Sequence, residues 1–214
     1  MYAQSKTHKN LALFDFDGTL CSIDSFTKFI FYSQPKIYIY KKGIKILPWI
    51  LAYYMKCYPA HLMRPKLFYT LFKNSAQSKL DKLAKEYANF LLDKYIDQSL
   101  YQQLKQHQCL GDDVVLVSAS IDIYLKYICQ HLNIDLICTT TEIKSQYYTG
   151  QYSSQDCSHE QKKKRILERY SLDQYDQVFA YGNSHEDLSM LSIADFPYLT
   201  TKKLPLPTLR TTSI

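Results

Sequence analysis

The chain has 214 residues, 46% of them hydrophobic and 21% charged, with 26 Lys and Arg against 20 Asp and Glu for a formal net charge of +6. That length buries a sizeable core and suits one domain or a core with an inserted cap, while the apolar content excludes a disordered chain. Six cysteines, Cys21, Cys57, Cys109, Cys129, Cys138 and Cys157, are scattered without a CxxC pair, which argues against a zinc ribbon and fits a reduced, cytoplasmic setting. The basic balance suits anionic small molecules or anionic lipid surfaces, and general solubility accounts for it better than nucleic-acid binding.

Met1 to Asn10 is polar and lacks the apolar core of a secretory signal. Leu11 to Phe14 is a short apolar run, the pattern of a strand buried on both faces. It stops at Asp15 and Asp17, followed by Gly18, which permits a sharp turn, and Thr19. Ligands of an open parallel sheet bind beyond the carboxyl ends of its strands. Two unpaired carboxylates beside a core strand are costly, so this acid pair is the first candidate for chemistry. From Ser22 the pattern turns helical, with Phe26, Phe29, Ile30 and Tyr32 on one face, and Pro35 ends it. Ile37 to Met55 is rich in Ile, Leu and Tyr and holds Trp49, but Lys41, Lys42, Gly43, Lys45 and Pro48 interrupt it. Its longest uncharged piece, between Lys45 and Lys56, is far short of the roughly 20 residues that span a bilayer. Two readings stay open: a helical cap packed on the core, or a cap that also lies in a membrane surface. In the second, the lysines sit at the phosphates and Trp49, Tyr53 and Tyr54 in the interface.

Ser78 to His107 reads as one or two helices carrying Leu80, Leu83, Tyr87, Leu91 and Tyr95, with Ser78 and Asp81 as a capping pair. Asp112 and Asp113 read as a solvated turn before a second strand, Val114 to Val117, which ends at Ser118-Ala119-Ser120. A helix follows with Ile121, Leu125, Ile128 and Leu132 facing inward. Leu136 to Thr140 is a third strand, and Glu142 to Tyr152 a hairpin turning at Gly150. Lys162 to Tyr170 is a helix that opens on the one dense basic run, Lys162-Lys163-Lys164-Arg165. Val178 to Tyr181 is a fourth strand ending at Gly182-Asn183-Ser184, and Phe196 to Thr200 a fifth. His159 and His185 read as ordinary surface residues. Alternating strands and helices predict an α/β fold with a parallel sheet covered by helices on both faces. Three strands end in small polar or acidic residues, as one shared site requires.

The string Asp15-Phe16-Asp17-Gly18-Thr19, placed after an apolar strand, resembles the first motif of the haloacid-dehalogenase (HAD) superfamily. Ser118 is similar to its second motif. Cys157-Ser158-His159-Glu160-Gln161-Lys162, followed by Arg165 and Ile166, is similar to the third as found in subfamily IB, with Lys163 the alternative to Lys162. Gly182-Asn183-Ser184-His185-Glu186-Asp187, followed by Leu188, Met190 and Leu191, is similar to the fourth, except that Asn183 stands where Asp is commonest. The resemblance implies a Rossmann-like core from residues 1–20 and 101–214, with a helical cap, residues 21–100, inserted after the first strand. It implies that Asp15 attacks phosphorus to give an aspartyl-phosphate and that Asp17 acts as acid and then base. Mg²⁺ would be held by Asp15, the Asp17 backbone carbonyl and Asn183, with Asp187 assisting. Ser118, the Ala119 amide and Lys162 would hold the phosphoryl oxygens. The acid at Asp17 sets phosphatases apart from the dehalogenases of the superfamily, which lack it. Asparagine supplies an oxygen to a hard cation but no charge.

Asp24 lies where phosphoserine phosphatases of the same subfamily carry a Glu that meets the substrate amine; its alternative role is that of an N-terminal helix residue favoured by the dipole. Arg64, the only arginine between residues 21 and 100, is either a bidentate contact for a second anionic group or a surface residue. The leading expectation is a Mg²⁺-dependent phosphomonoesterase acting on a small phosphorylated metabolite, such as an amino-alcohol or sugar phosphate. Ser33 to Phe72 also resembles the cap of subfamily IB enzymes related to phosphatidylglycerophosphate phosphatases, so a peripheral lipid-phosphate phosphatase touching the membrane through its cap is the second. A catalytically weak phosphate-binding protein, motivated by Asn183, is the third.

Overall fold

A computed structural model describes residues 9–202 and 204–209. Of the polar opening Met1 to Asn10, residues 1–8 lie outside the described residues. The strands are β1 (Leu11–Phe14), β2 (Asp113–Ile121), β3 (Asp135–Thr139), β4 (Thr141–Lys144), β5 (Tyr147–Tyr152), β6 (Val178–Gly182) and β7 (Phe196–Leu199). Five form a parallel sheet in the order β3-β2-β1-β6-β7, and β4 and β5 form a separate antiparallel pair. Successive side chains of a strand point to opposite faces, and both faces of this sheet are apolar. Leu11 and Leu13 join Val115, Val117, Val178 and Ala180 on one side. Helices α8 (Glu160–Arg169) and α9 (Leu188–Leu191) cover that side through Ile166, Met190 and Leu191. Ala12 and Phe14 join Leu116, Phe179 and Tyr181 on the other side. All four residues of β1 are fully buried, as the continuous apolar run predicts.

Between β1 and α6 (Gln98–Cys109) lie five helices: α1 (Ser25–Ser33), α2 (Lys36–Gly43), α3 (Leu47–Tyr54), α4 (Ala60–Phe72) and α5 (Gln77–Lys94). The chain leaves and returns through one doorway, where Ser22 N–H donates to the Tyr95 carbonyl and Asp97 N–H to that of Leu20. Helix α1 starts at Ser25 rather than Ser22, because Asp24 caps it by accepting the Thr27 N–H. The region from Ser78 to His107 is two helices, and Asp97 caps the second. Ser78 and Asp81 are not a capping pair: α5 begins at Gln77 without a side-chain cap, and Asp81 instead accepts a hydrogen bond from Lys126 on α7 (Asp122–Leu132) at 2.6 Å. Aromatic packing joins α1 to α5 within the insert and to the core helix α7, with the Phe29 ring centroid 5.1 Å from both Tyr87 and Tyr124.

Three further expectations are corrected. Asp112 is not solvated; it is buried, hydrogen-bonded to His107 Nδ1 at 2.7 Å and accepting the Asn10 N–H at 2.9 Å, while Asp113 takes Lys9 and Tyr175. Ile121 ends β2 rather than opening a helix, and β3 begins one residue before Leu136. The hairpin turns at Ser145 and Gln146, whose φ values of 49° and 66° suit the two-residue turn that matches strand twist. Gly150 sits inside β5 at φ 85°, where an added Cβ would meet Lys73 Cβ at 2.9 Å and Tyr69 Cα at 3.1 Å. Its role is to let the strand press against α4. Gly150→Ala should therefore cost roughly 1–3 kcal/mol of stability, read from urea denaturation; an unchanged midpoint would refute the close-approach argument.

Candidate active site

Strand order runs outward from β1 to β2 and β3 on one side and to β6 and β7 on the other. The crevice at such a switch point lies beyond the carboxyl end of β1, where Asp15 sits with its N–H bonded to the Tyr181 carbonyl of β6. Asp15 is 5% exposed; its Oδ1 accepts from Lys162 Nζ at 2.6 Å and its Oδ2 from the Thr19 hydroxyl at 2.8 Å. Lys162 is 1% exposed and also donates to Asp187 Oδ1 at 2.6 Å. Of the two lysines in question, Lys162 is the one brought to Asp15. Burial pushes the Asp15 carboxyl up to about 7 against the opposing pull of Lys162. Burial alone would lower the Lys162 ammonium, but its two carboxylate partners raise it above its ordinary value. Burial would likewise raise Asp187, yet Lys162 and the Asn183 and Ser184 N–H groups hold it below the ordinary carboxylate range.

Asp17 is held from two sides. The Ser25 N–H at the start of α1 donates to its Oδ1 at 2.6 Å, and the Ser120 hydroxyl to its Oδ2 at 2.5 Å. Burial, with the Asp24 charge nearby, pushes Asp17 up to about 6, and the serine contacts oppose that rise. Ser120 was not singled out from the sequence, although the two-residue period of β2 puts it on the same side as Ser118. Ser118 is buried, and its Oγ accepts the Ser120 N–H. A hydroxyl relay ties this strand to the lysine loop: Thr139 donates to the Ala119 carbonyl at 2.7 Å and accepts the Cys157 N–H at 3.0 Å. His159 is more than a surface residue. It precedes α8 at φ 50° and ψ −129°, a conformation costly for any side chain, and its N–H donates to the Glu186 carbonyl.

The donor set fits a hard cation. Asn183 packs so tightly over Gly18 that a Cβ there would fall 1.9 Å from Asn183 Nδ2, which sets the amide beside the Asp15 to Asp17 turn. Among the described residues, no group of three His, Cys, Asp or Glu converges as a metal cluster. Carboxylate, amide and backbone oxygens supplemented by water suit Mg²⁺, which retains several waters.

A sequence profile of haloacid dehalogenase-like hydrolases matches residues 12–192. The chain belongs to that family. A histidinol-phosphatase from Neisseria meningitidis serogroup C (strain 8013) is 28% identical, over 88% of this chain and 89% of that protein. The fold is shared with a protein of unknown function from Bordetella pertussis Tohama I (TM-score 0.70, 19% identity, 88% of each chain). It is also shared with a substrate-bound phosphoserine phosphatase (TM-score 0.58, 19% identity, 88% of this chain and 84% of that one).

In this hydrolase a cavity of about 130 Å³ reaches the acid pair, and Asp24, Tyr53, Arg64 and Glu186 are among the residues that line it. Asp24 faces the cavity while both its oxygens bind Thr27, so the helix-capping role is present whatever else it does. Arg64 is neither a surface residue nor open along its bidentate edge: Nε and Nη2 grip Asp156 at 2.8 and 2.9 Å, and Nη2 also reaches Glu186. It fastens α4 across the cavity mouth. The raised Asp17 carboxyl carries a stability signature. Below its ordinary value of 3.8 it is protonated both folded and unfolded and costs nothing; the cost appears as pH rises through about 6. In the metal-free protein, Asp17→Asn should therefore stabilise more at pH 8 than at pH 4, by roughly 1–3 kcal/mol in thermal melts; equal effects at both values would contradict the assignment.

Proposed function

We propose that this hydrolase cleaves phosphate monoesters through a covalent intermediate on Asp15, with residues 1–20 and 101–214 as its core and 21–100 as its cap. The single observation that carries the reading is the Asp15 carboxyl held at 2.6 Å by a buried lysine, with a second carboxyl, also raised by burial, two residues away. Lys162 and Thr19 fix Asp15 so that one oxygen attacks phosphorus in line with the leaving alcohol. Asp17, raised to about 6 by burial, gives its proton to that alcohol and then takes one from the water that releases phosphate. Ser118, the Ala119 N–H and Lys162 hold the equatorial oxygens, where transition-state charge is spread. Asp15, the Asp17 carbonyl and Asn183, with help from Asp187, would hold Mg²⁺, which would screen the charge between carboxylate and phosphate.

For the leaving group, the names of two relatives, histidinol-phosphatase and phosphoserine phosphatase, favour the phosphate of a small amine-bearing alcohol. Asp24 and Glu186 at the mouth suit such an amine, and Arg64 sets the position of Glu186. A second reading, a phosphate ester with an apolar tail, is favoured by an apolar groove that shares Thr27, Tyr53, Met63 and Leu67 with the catalytic cavity.

The test is phosphate release from an aryl phosphate, followed by a panel of amino-alcohol, sugar and lipid phosphates. Removing Mg²⁺ or introducing Asp15→Asn should each lower turnover by about a thousandfold or more. Asn183→Asp should lower the Mg²⁺ concentration needed for half-maximal rate. Phosphate binding without release at high Mg²⁺ would make the chain a binding protein instead, and full activity in Asp15→Asn would remove this site from the reaction.

A further inference from the structure

The cap carries a second feature that hydrolysis at Asp15 does not require. Helices α2 and α3 contain no buried residue, and Ile46 is the one buried side chain from residue 36 to 54. The stretch is nevertheless apolar. Thirteen of the nineteen exposed large hydrophobic side chains among the described residues lie between Phe31 and Tyr69, with Ile44 71%, Met55 72% and Tyr54 76% exposed. Monomers seldom leave a contiguous apolar face of this kind uncovered unless something docks on it.

Charge says what. Between Ser25 and Leu80 the sequence has ten Lys and Arg and no Asp or Glu, so the chain's other 16 cations face all 20 of its acids. The excess positive charge of the whole protein thus sits in this one segment. None of the nine lysines there makes an ion pair with a described residue, whereas Arg64 is fully engaged by Asp156 and Glu186. Lysines are interleaved with aromatic rings: Lys66 Nζ lies 4.3 Å from the Trp49 ring centroid and Lys42 Nζ 5.4 Å from that of Tyr38. Apolar and aromatic side chains beside unpaired lysines are the composition of a segment lying in a lipid headgroup layer. No helix among the described residues is long and apolar enough to cross a membrane, so such a segment lies on a bilayer rather than through it.

We propose that the outer face of α2 and α3 docks the protein on an anionic lipid bilayer. The apolar side chains enter the headgroup and upper acyl region, and Lys36, Lys41, Lys42, Lys45 and Lys56 pair with lipid phosphates. A second copy of the chain is a poorer occupant, because a two-fold contact through this face would set like charges against one another. The groove between the helices, about 380 Å³ in volume and lined by Ile39, Ile44, Ile50 and Tyr54 among others, shares a wall with the catalytic cavity. The proposal does not depend on the phosphatase reading, since a docked protein need not be active.

The experiment is co-sedimentation of the full chain with vesicles of phosphatidylcholine, alone or mixed with phosphatidylglycerol. The wild type should pellet with the mixed vesicles at low salt, stay in solution with phosphatidylcholine alone, and be released from the mixed vesicles by high salt. Leu51→Asp/Met55→Asp on α3 and its C-terminal end, and separately Lys41→Glu/Lys42→Glu, should each lower vesicle partitioning by at least about tenfold. Both sites lie outside the catalytic cavity, so phosphate release from an aryl ester without vesicles should match the wild type. That readout separates the two claims: a wild type that binds vesicles but releases no phosphate strikes the enzymatic reading, and a wild type that releases phosphate but binds no vesicles strikes this one. A wild type that stays in solution with anionic vesicles at low salt overturns the proposal. So does a solution dimer that Leu51→Asp/Met55→Asp dissolves, which would assign the face to a second copy.

Discussion

Lys162 places one buried positive charge between the carboxylates of Asp15 and Asp187. Without it, two acids at the end of a fully buried strand would repel each other in a medium that screens them poorly, and removing one partner of such a buried set costs about 3–5 kcal/mol. Much of the surrounding architecture serves to bring this side chain to its position. Arg165, one turn further along α8, donates to the Cys138 and Gln155 carbonyls and pins the helix to β3 and the preceding loop. The Ala119, Thr139 and Cys157 relay sets the same loop against the strand that carries Ser118. The strained His159 backbone redirects the chain into α8. A site with this charge balance repels phosphate until its acids are neutralised, which is why a hard cation beside Asp15 and Asn183 is chemically coherent.

Asp15 and Asp17 answer to different parts of the chain. Asp15 is fixed wholly by the core, through β6, Thr19 and Lys162. Asp17 is fixed partly by the insert, since the Ser25 N–H belongs to α1, whose hydroxyl and carbonyl are in turn held by Tyr124 and Tyr87. Any motion of α1 therefore shifts Asp17 while leaving Asp15 in place. Arg64 lines the cavity and grips Asp156 and Glu186, so the insert touches the site at two points.

Much of this was legible in the sequence where the signal is local. The run from Leu11 to Thr19 declares a buried strand and a turn within ten residues, and its alternating faces match two apolar layers. The parallel sheet follows from strands separated by helices. Contacts between distant segments were not legible. Nothing near Ser120 announces that it holds Asp17, beyond a two-residue period shared with Ser118. Arg64 finds its partners 92 and 122 residues away, and Asp112 looks like turn chemistry until His107 packs beside it. Gly150 was misread because a glycine at positive φ signals a turn or a close approach equally well, and only the position of Tyr69 decides between them.

The most direct test of the account is chemical trapping at Asp15. Enzyme quenched in acid during turnover of a phosphate monoester and treated with borohydride should yield one reduced peptide, spanning Asp15, because an acyl-phosphate is reduced where a free carboxylate is not. Label at Asp15 that disappears without substrate is the predicted result. Active enzyme that shows no reduction at Asp15, or reduction at another carboxyl, would contradict the covalent mechanism and the role assigned to Lys162 in holding its nucleophile.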